Sequence, residues 1–170
     1  MSEKELVSSA KRGDSAAFCA LYEIYKDKLY HYAYYKLGDP HDAEDAVQNC
    51  VMSAFQQISK LKKESAFPSW IFKILYYICA NAITMQIQQR NTSDIDDYRN
   101  ALSTESFETY QSTELQEALS KLSEEERNVV LLSVVAGFKS KEVAEITGLT
   151  AGNVRQKLSR SLAKMRSELA

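Results

Sequence analysis

Apolar side chains recur every three or four positions along most of this chain, which is the spacing of one face of an α-helix. One stripe follows Asp14, a predicted N-cap, and continues to residue 37. A second follows the helix-ending Gly38-Asp39-Pro40, and a third begins at Phe67. No alternating series predicts strands. The pattern therefore predicts an all-α protein in which the first two long helices form an antiparallel hairpin and the third closes a small core.

The periodicity stops between residues 91 and 113, where one basic residue, Arg99, stands among acidic ones. The acidic residues are Asp94, Asp96, Asp97, Glu105 and Glu108. A polar, acidic stretch without apolar periodicity is typical of a flexible linker. We therefore expect two small helical domains, residues 1–90 and 114–170, joined by a flexible acidic linker.

The last fifty residues have the pattern of a helix-turn-helix. Ser123 and Glu126 have the spacing of a capping box for a supporting helix over 124–136. Further on, Gly148 permits a left-handed residue at a sharp turn, and Thr150 is placed to cap the next helix. This arrangement predicts two short helices that meet at a corner.

The second helix of that pair has an apolar and a polar face, given about 100° per residue. Its polar face contains Arg155, Gln156, Ser159 and Arg160. Arg can read guanine and Gln can read adenine in the major groove, whereas Lys157, Lys164 and Arg166 suit phosphates. Residues 139–166 contain seven basic and two acidic residues, although the whole chain has a net charge of −2. A DNA-binding surface is predicted, and an ordinary solvated helical pair is the alternative.

Composition argues against several other classes of protein. The cysteines Cys19, Cys50 and Cys79 are odd in number and far apart in apolar helical surroundings, which predicts buried thiols in a reducing compartment. The N-terminus lacks the pattern of a signal peptide and no run of about 18 apolar residues occurs, so a cytoplasmic protein is expected. The sequence has no metal-ligand spacing, no P-loop, no dinucleotide fingerprint and no nucleophile elbow. We therefore expect neither an enzyme nor a bound cofactor or metal.

Four groups of residues, in this order, resemble the extracytoplasmic-function (ECF) group of sigma-70 family RNA polymerase sigma factors. They are Ala17-Phe18 with Leu21-Tyr22 and Tyr25, the segment Asp42 to Gln48, Phe67 with Trp70-Ile71, and Gly152-Asn153-Val154 with Leu158 and Arg160. The resemblance covers nearly the whole chain. It implies that residues 1–90 form a region 2-like domain that docks on core polymerase and contacts the −10 promoter element. Residues 114–170 would form a region 4-like domain that reads the −35 element.

The resemblance also implies particular contacts. The clamp helices of the largest polymerase subunit would meet Asp42, Glu44, Asp45 and Gln48. The −10 element would meet the loop before the third helix and that helix's surface, here Lys60, Lys62, Lys63 and Lys73. The −35 element would meet Arg155, Gln156, Ser159 and Arg160, with Lys139, Ser140, Lys141, Asn153 and Lys157 nearby. Contact with the polymerase flap and an anti-sigma factor partner are further implications.

Two departures from the family pattern lie in the third helix. Tyr77 stands where the family usually has Asn, and Arg90 is the single basic residue over 81–90, where a basic run is usual. Each lost phosphate contact weakens DNA binding in a salt-dependent way, so weak or sequence-restricted promoter opening is expected. Two other functions stay open: a stand-alone helix-turn-helix regulator derived from a sigma factor, and a protein-interaction module built on the Tyr-rich helices.

Overall fold

A computed structural model of the chain describes residues 1–92 and 108–169, with side chains over 1–89 and 114–169. The first range contains α1 (Glu3–Lys11), α2 (Ser15–Leu37), α3 (Pro40–Gln57) and α4 (Phe67–Thr92), with 3₁₀ turns at Ile58–Lys60 and Glu64–Ala66. The second contains α5 (Glu108–Ser120), α6 (Glu124–Val130), a π-helical turn at Leu131–Val135, α7 (Ser140–Thr147) and α8 (Ala151–Leu169). The all-α prediction is confirmed.

The predicted signals set the helix ends of the first domain. The Asp14 carboxylate accepts the backbone N–H groups of Ala16 and Ala17, and α2 ends at Gly38 with φ of 76°. Asp39 caps α3 in the same way, so α2 and α3 fold back on each other. The third long helix, α4, packs on both and closes the core predicted from its apolar stripe.

Helix α1 is an element that the apolar pattern did not predict. The Ser2 hydroxyl accepts the Glu5 backbone N–H and caps it, and Val7 is fully buried against the core. The Tyr25 hydroxyl donates to Glu3 at 2.5 Å, which ties α1 to α2. Its apolar positions are few because the helix is short, so the stripe is hard to recognise without the tertiary contacts.

Three details differ from the sequence-based expectations. The helix expected over 124–136 is α-helical only to Val130 and ends as a π turn, in which Ala136 N–H donates to the Leu131 carbonyl. Cys19 is exposed, because it lies on the side of α2 that faces away from the core, whereas Cys50 and Cys79 are buried as expected. Residues 91–92 and 108–113 of the expected linker are helical, and residues 93–107 lie outside the described part of the chain.

The two halves of the chain pack against each other. Helix α7 lies on α4, and the π turn lies on α2. The ring of Phe72 on α4 meets the ring of Phe138, which precedes α7, with centroids 5.0 Å apart. The described residues therefore share one continuous apolar core that crosses from one half to the other.

One helical stretch, Glu64–Gln89, is long and apolar enough to cross a membrane by length and composition, with a mean hydropathy of 1.2. Its buried positions include Phe67, Ile71, Phe72 and Leu75, which pack against the other helices. Of the apolar window in this stretch, 28% is buried inside the protein.

Candidate nucleic-acid interface

Helices α7 and α8 form the helix-turn-helix expected from the sequence. Gly148 has a φ of 82°, and its backbone N–H donates to the Ala144 carbonyl at the end of α7. The Thr150 hydroxyl accepts the Asn153 N–H at 3.1 Å and caps α8. Val143 and Ile146 on α7 are buried, so the corner is held by apolar packing as well as by its caps.

Helix α8 presents the predicted polar face to solvent. Val154 and Met165 are buried and anchor the helix, whereas all four predicted base-reading residues are exposed. These residues are Arg155, Gln156, Ser159 and Arg160. Within the described part of the chain, neither arginine on this face has an ion-pair partner. Both guanidinium groups are therefore available to an incoming acceptor without the loss of an internal contact.

The phosphate-binding role expected for Lys157 and Lys164 is less direct than the sequence suggested. Lys157 Nζ lies 3.2 Å from Glu125, and Lys164 Nζ lies 3.0 Å from Glu126. Both carboxylates belong to the first turn of α6, which packs against α8. These lysines therefore fix α8 on its supporting helix, and periodicity alone could not reveal partners that lie so far away along the chain.

The start of α7 supplies a second group of polar residues beside the reading face. Lys139 and Lys141 are exposed and Ser140 is half-buried. The Glu142 carboxylate accepts the Lys139 backbone N–H at 3.2 Å and so shapes the first turn. The exposed Asn153 lies in the first turn of α8, next to the turn that joins the two helices.

The residues expected at the −10 element lie in the other half of the molecule. Lys60, Lys62 and Lys63 are exposed around the two 3₁₀ turns, and Lys73 is exposed on α4. Trp70 is half-buried against Phe67, with ring centroids 6.0 Å apart, so it is mainly a packing residue. The structure therefore gathers a basic rim at the start of α4.

An acidic face lies on α3, where Asp42, Glu44, Asp45 and Gln48 are all exposed as expected. Partial burial, with a contribution from Asp39, raises the pKa of Asp42, although Gln86 donates a hydrogen bond to its carboxylate at 3.0 Å. Asp42 and Asp45 border a groove of about 420 Å³ between α3 and α4.

The groove adds residues that the sequence had not singled out. Ile78, Met85 and Gln86 of α4 line it, and Met85 is 60% exposed. A polar and acidic edge beside an exposed apolar side chain is a common composition of protein-binding surfaces. The apolar spacing of α4 continues past Ile78, and this was the one sequence signal for the groove. That α3 forms its other wall could be seen only in the structure.

Comparisons with known proteins identify the family of the two helical halves. A family model of sigma-70 region 2 matches residues 21–91, and a model of sigma-70 region 4 matches residues 112–165. RNA polymerase sigma factor SigV of Bacillus subtilis is 30% identical, with 85% of this chain and 86% of the relative covered. ECF RNA polymerase sigma factor SigW of the same species is 26% identical, with 98% and 96% covered.

Solved structures with a similar fold include CnrH in complex with the cytosolic domain of CnrY. It has a TM-score of 0.77 at 23% identity, and the match covers 98% of this chain and 96% of that one. The sigma factor RpoE in complex with the anti-sigma factor NepR from Bartonella quintana has a TM-score of 0.69 at 23% identity, with 89% and 96% covered. The folds agree across both helical halves. The chain therefore belongs to the ECF group of the sigma-70 family of RNA polymerase sigma factors.

Proposed function

We propose that this chain binds core RNA polymerase and directs it to a restricted set of promoters, with residues 1–90 acting at the −10 element and residues 114–170 at the −35 element. The observation that carries the proposal is the exposed face of α8, where Arg155, Gln156 and Arg160 project from a capped and anchored recognition helix. Family membership supports the binding of polymerase and promoter DNA. The exposure of these side chains on α8 supports their choice as the residues that read the −35 element.

Arg155, Gln156, Ser159 and Arg160 are the proposed −35 reading residues. Arginine makes two hydrogen bonds to the O6 and N7 atoms of guanine, and glutamine makes two to adenine. Lys139, Ser140 and Lys141 at the start of α7 and Asn153 in the first turn of α8 are the proposed phosphate contacts, since the first helix of such a motif crosses the DNA backbone. Lys157 joins them only by giving up its contact with Glu125.

The acidic face of α3 is the proposed docking surface for the polymerase clamp helices. Its exposed carboxylates Asp42, Glu44 and Asp45, with Gln48, complement a basic partner, and the neighbouring groove offers the apolar contact of Met85. An anti-sigma factor that covers this face would prevent polymerase from docking. RpoE, a sigma factor with a similar fold, was solved in complex with the anti-sigma factor NepR.

The proposed −10 surface is the basic rim of Lys60, Lys62, Lys63 and Lys73 together with aromatic side chains of α4. Tyr77 is 55% exposed and is available for stacking on an unpaired base. Because α4 has few cations beyond Lys73, electrostatic attraction to the opened strand is weaker, and the base contacts determine more of the binding.

The chain acts in the cytoplasm with no active site of its own, since polymerase performs the chemistry.

Run-off transcription tests this function. Purified core polymerase, the full chain and a pool of upstream regions from the source genome are compared with the double variant Arg155→Ala/Arg160→Ala. Initiation from a few defined sites is expected for the intact protein and should be lost in the variant. The control Lys26→Ala/Lys121→Ala removes two cations that pair with Glu23 and Glu168, outside the proposed surfaces, and should leave initiation intact.

Two other outcomes have clear meanings. DNA binding by the full chain without any binding to core polymerase would replace this function with that of a stand-alone regulator. Unchanged initiation by the Arg155→Ala/Arg160→Ala variant would show that these two arginines do not read the promoter.

A further inference from the structure

Two ion pairs join the recognition helix α8 to the first turn of α6, and they differ in how firmly each is held. Lys164 pairs with Glu126, whose side chain is 13% exposed and whose carboxylate also accepts the Ser123 backbone N–H. Lys157 pairs with Glu125, whose side chain is 59% exposed. Among the residues that the structure describes, the Glu125 carboxylate has no second partner. The Lys157–Glu125 contact is therefore the more easily exchanged of the two.

The position of α8 does not depend on this exposed pair. A surface ion pair gains little free energy, because water solvates both charges and dissolved salt screens their attraction. The buried side chains of Val154 and Met165 anchor α8 in the core, and Lys164 ties it to α6. The helix therefore stays in place when Lys157 exchanges Glu125 for another anion.

Lys157 lies at the edge of the reading face of α8. It is three residues from both Arg160 and Val154, and three residues turn a helix by about 300°, so each lies about 60° from it, on opposite sides. Arg160 is exposed on the reading face, whereas Val154 is fully buried. The Lys157 side chain, 32% exposed, therefore lies between the reading face and the core, on the side where α6 packs.

A side chain at such an edge meets phosphate when the helix lies in the major groove. The groove is about 12 Å wide and a helix with its side chains is about 10–12 Å across, so its edges reach the DNA backbone. A lysine that binds a phosphate there releases about one counterion. Glu125 instead offers Lys157 a carboxylate within the protein, which carries the same sign of charge as phosphate and competes for the same ammonium group.

We propose that Glu125 is a positioning residue that holds Lys157 away from the DNA backbone and thereby limits affinity for the −35 element. This inference deepens the proposed function and rests on it, since α8 must lie in the major groove. The carboxylate takes the place of one phosphate. Because phosphate contacts act on every sequence alike, this lowers the general attraction of α8 to DNA and leaves more of the binding to the base contacts of Arg155 and Arg160.

Promoter binding by the full chain in complex with core polymerase tests this role. Fluorescence anisotropy follows a labelled promoter fragment, taken from the sites found by run-off transcription, from about 50 to 200 mM salt. At about 100 mM salt, Glu125→Gln should tighten binding roughly threefold to tenfold, because it releases Lys157 to one phosphate. It should also steepen the slope of log affinity against log salt by about 0.9, which a change in stability alone would not do.

A double-mutant cycle determines whether the effect passes through Lys157. Lys157→Ala should weaken promoter binding roughly threefold to tenfold more in the Glu125→Gln background than in the wild-type chain. Equal losses in the two backgrounds would overturn the proposal, because Glu125 would then act elsewhere, for instance on Tyr76 of α4, which lies near it. The control Glu168→Gln removes an equal charge from a pair with Lys121 in the same half and should change neither affinity nor slope.

The remaining outcomes separate this inference from the proposed function. Equal affinity and an equal salt slope for the wild type and Glu125→Gln would overturn the role of Glu125 while leaving promoter binding in place. A gain of the same size for Glu168→Gln would attribute the effect to total charge and would also overturn that role. Absence of promoter binding by the wild type and by every variant would instead reject the proposed function and, with it, this inference.

Discussion

Lys164 on α8 donates to both carboxylate oxygens of Glu126 on α6, at 3.3 and 3.0 Å. The same carboxylate accepts the Ser123 backbone N–H at 3.0 Å, so one side chain closes the capping box of α6 and holds the recognition helix. These contacts lower the pKa of Glu126 to about 2, and the hydrogen bond from the Ser123 backbone has the largest effect. A single acidic residue therefore connects local helix capping to the placement of the DNA-reading face.

Glu126 should make the stability of the C-terminal domain depend on pH. Its pKa is about 2 in the folded chain and near the ordinary value of 4.5 when unfolded. The unfolded state then binds the proton first as the pH falls, so stability present above about pH 4.5 is lost progressively toward pH 2. Thermal unfolding followed by circular dichroism should show a steeper fall for the wild type than for Glu126→Gln.

The control for this experiment is Glu168→Gln, which removes an exposed carboxylate that pairs with Lys121 in the same domain. It should retain the wild-type slope. If the Glu126→Gln and wild-type curves run parallel between pH 4.5 and 2, the carboxylate does not have the role that its contacts indicate.

Base-reading and phosphate-binding residues should differ in their binding signatures. Arg155→Ala is expected to weaken binding to the correct −35 duplex by about 1–3 kcal/mol and to reduce discrimination at one base pair. Lys141→Ala should weaken binding to all sequences alike and lower the slope of log affinity against log salt by about 1. Fluorescence anisotropy with matched and mismatched duplexes measures both. A uniform loss for Arg155→Ala would reassign it to the phosphate backbone.

Reversing a charge on the acidic face of α3 should weaken polymerase binding. Asp45→Lys is expected to reduce affinity for core polymerase roughly tenfold or more, mainly through slower association, because it places like charges together. Asp27→Lys makes the same change at an exposed position on α2 and is the matched control. Surface plasmon resonance with immobilised core polymerase separates the rates. Equal effects of the two variants would remove Asp45 from the docking surface.

Two glycines near the turn should respond in opposite directions to alanine. Gly148 has a φ of 82°, so Gly148→Ala should cost about 1–2 kcal/mol of stability from backbone strain alone, since no atom lies within 4 Å of the added carbon. Gly152 lies in helical backbone with equally open space, so Gly152→Ala should stabilise by about 0.4–1 kcal/mol. Urea denaturation of both variants checks the pair, and stabilisation by Gly148→Ala would contradict the left-handed turn.

Local signals determined the long helices and most of their ends, although α1 and the π turn after Val130 were not predicted. Asp14, Gly38, Ser123 and Gly148 act on backbone groups a few positions away, so their effect can be read directly from neighbouring residues. The exposed face of α8 followed in the same way, because helical periodicity alone separates Arg155 from Val154. The family resemblance drew on the same short motifs, and the comparisons confirmed it.

Tertiary structure alone decided which charges meet. The sequence alone does not separate the paired from the unpaired cations of α8. In the structure α6 brings Glu125 to Lys157 and Glu126 to Lys164. It leaves Arg155 and Arg160 exposed. Lys36 is an ordinary polar position of α2 until the C-terminal domain covers it and supplies Glu124. Contacts between residues so distant along the chain depend on how helices pack, and helix packing leaves no fixed spacing in the sequence.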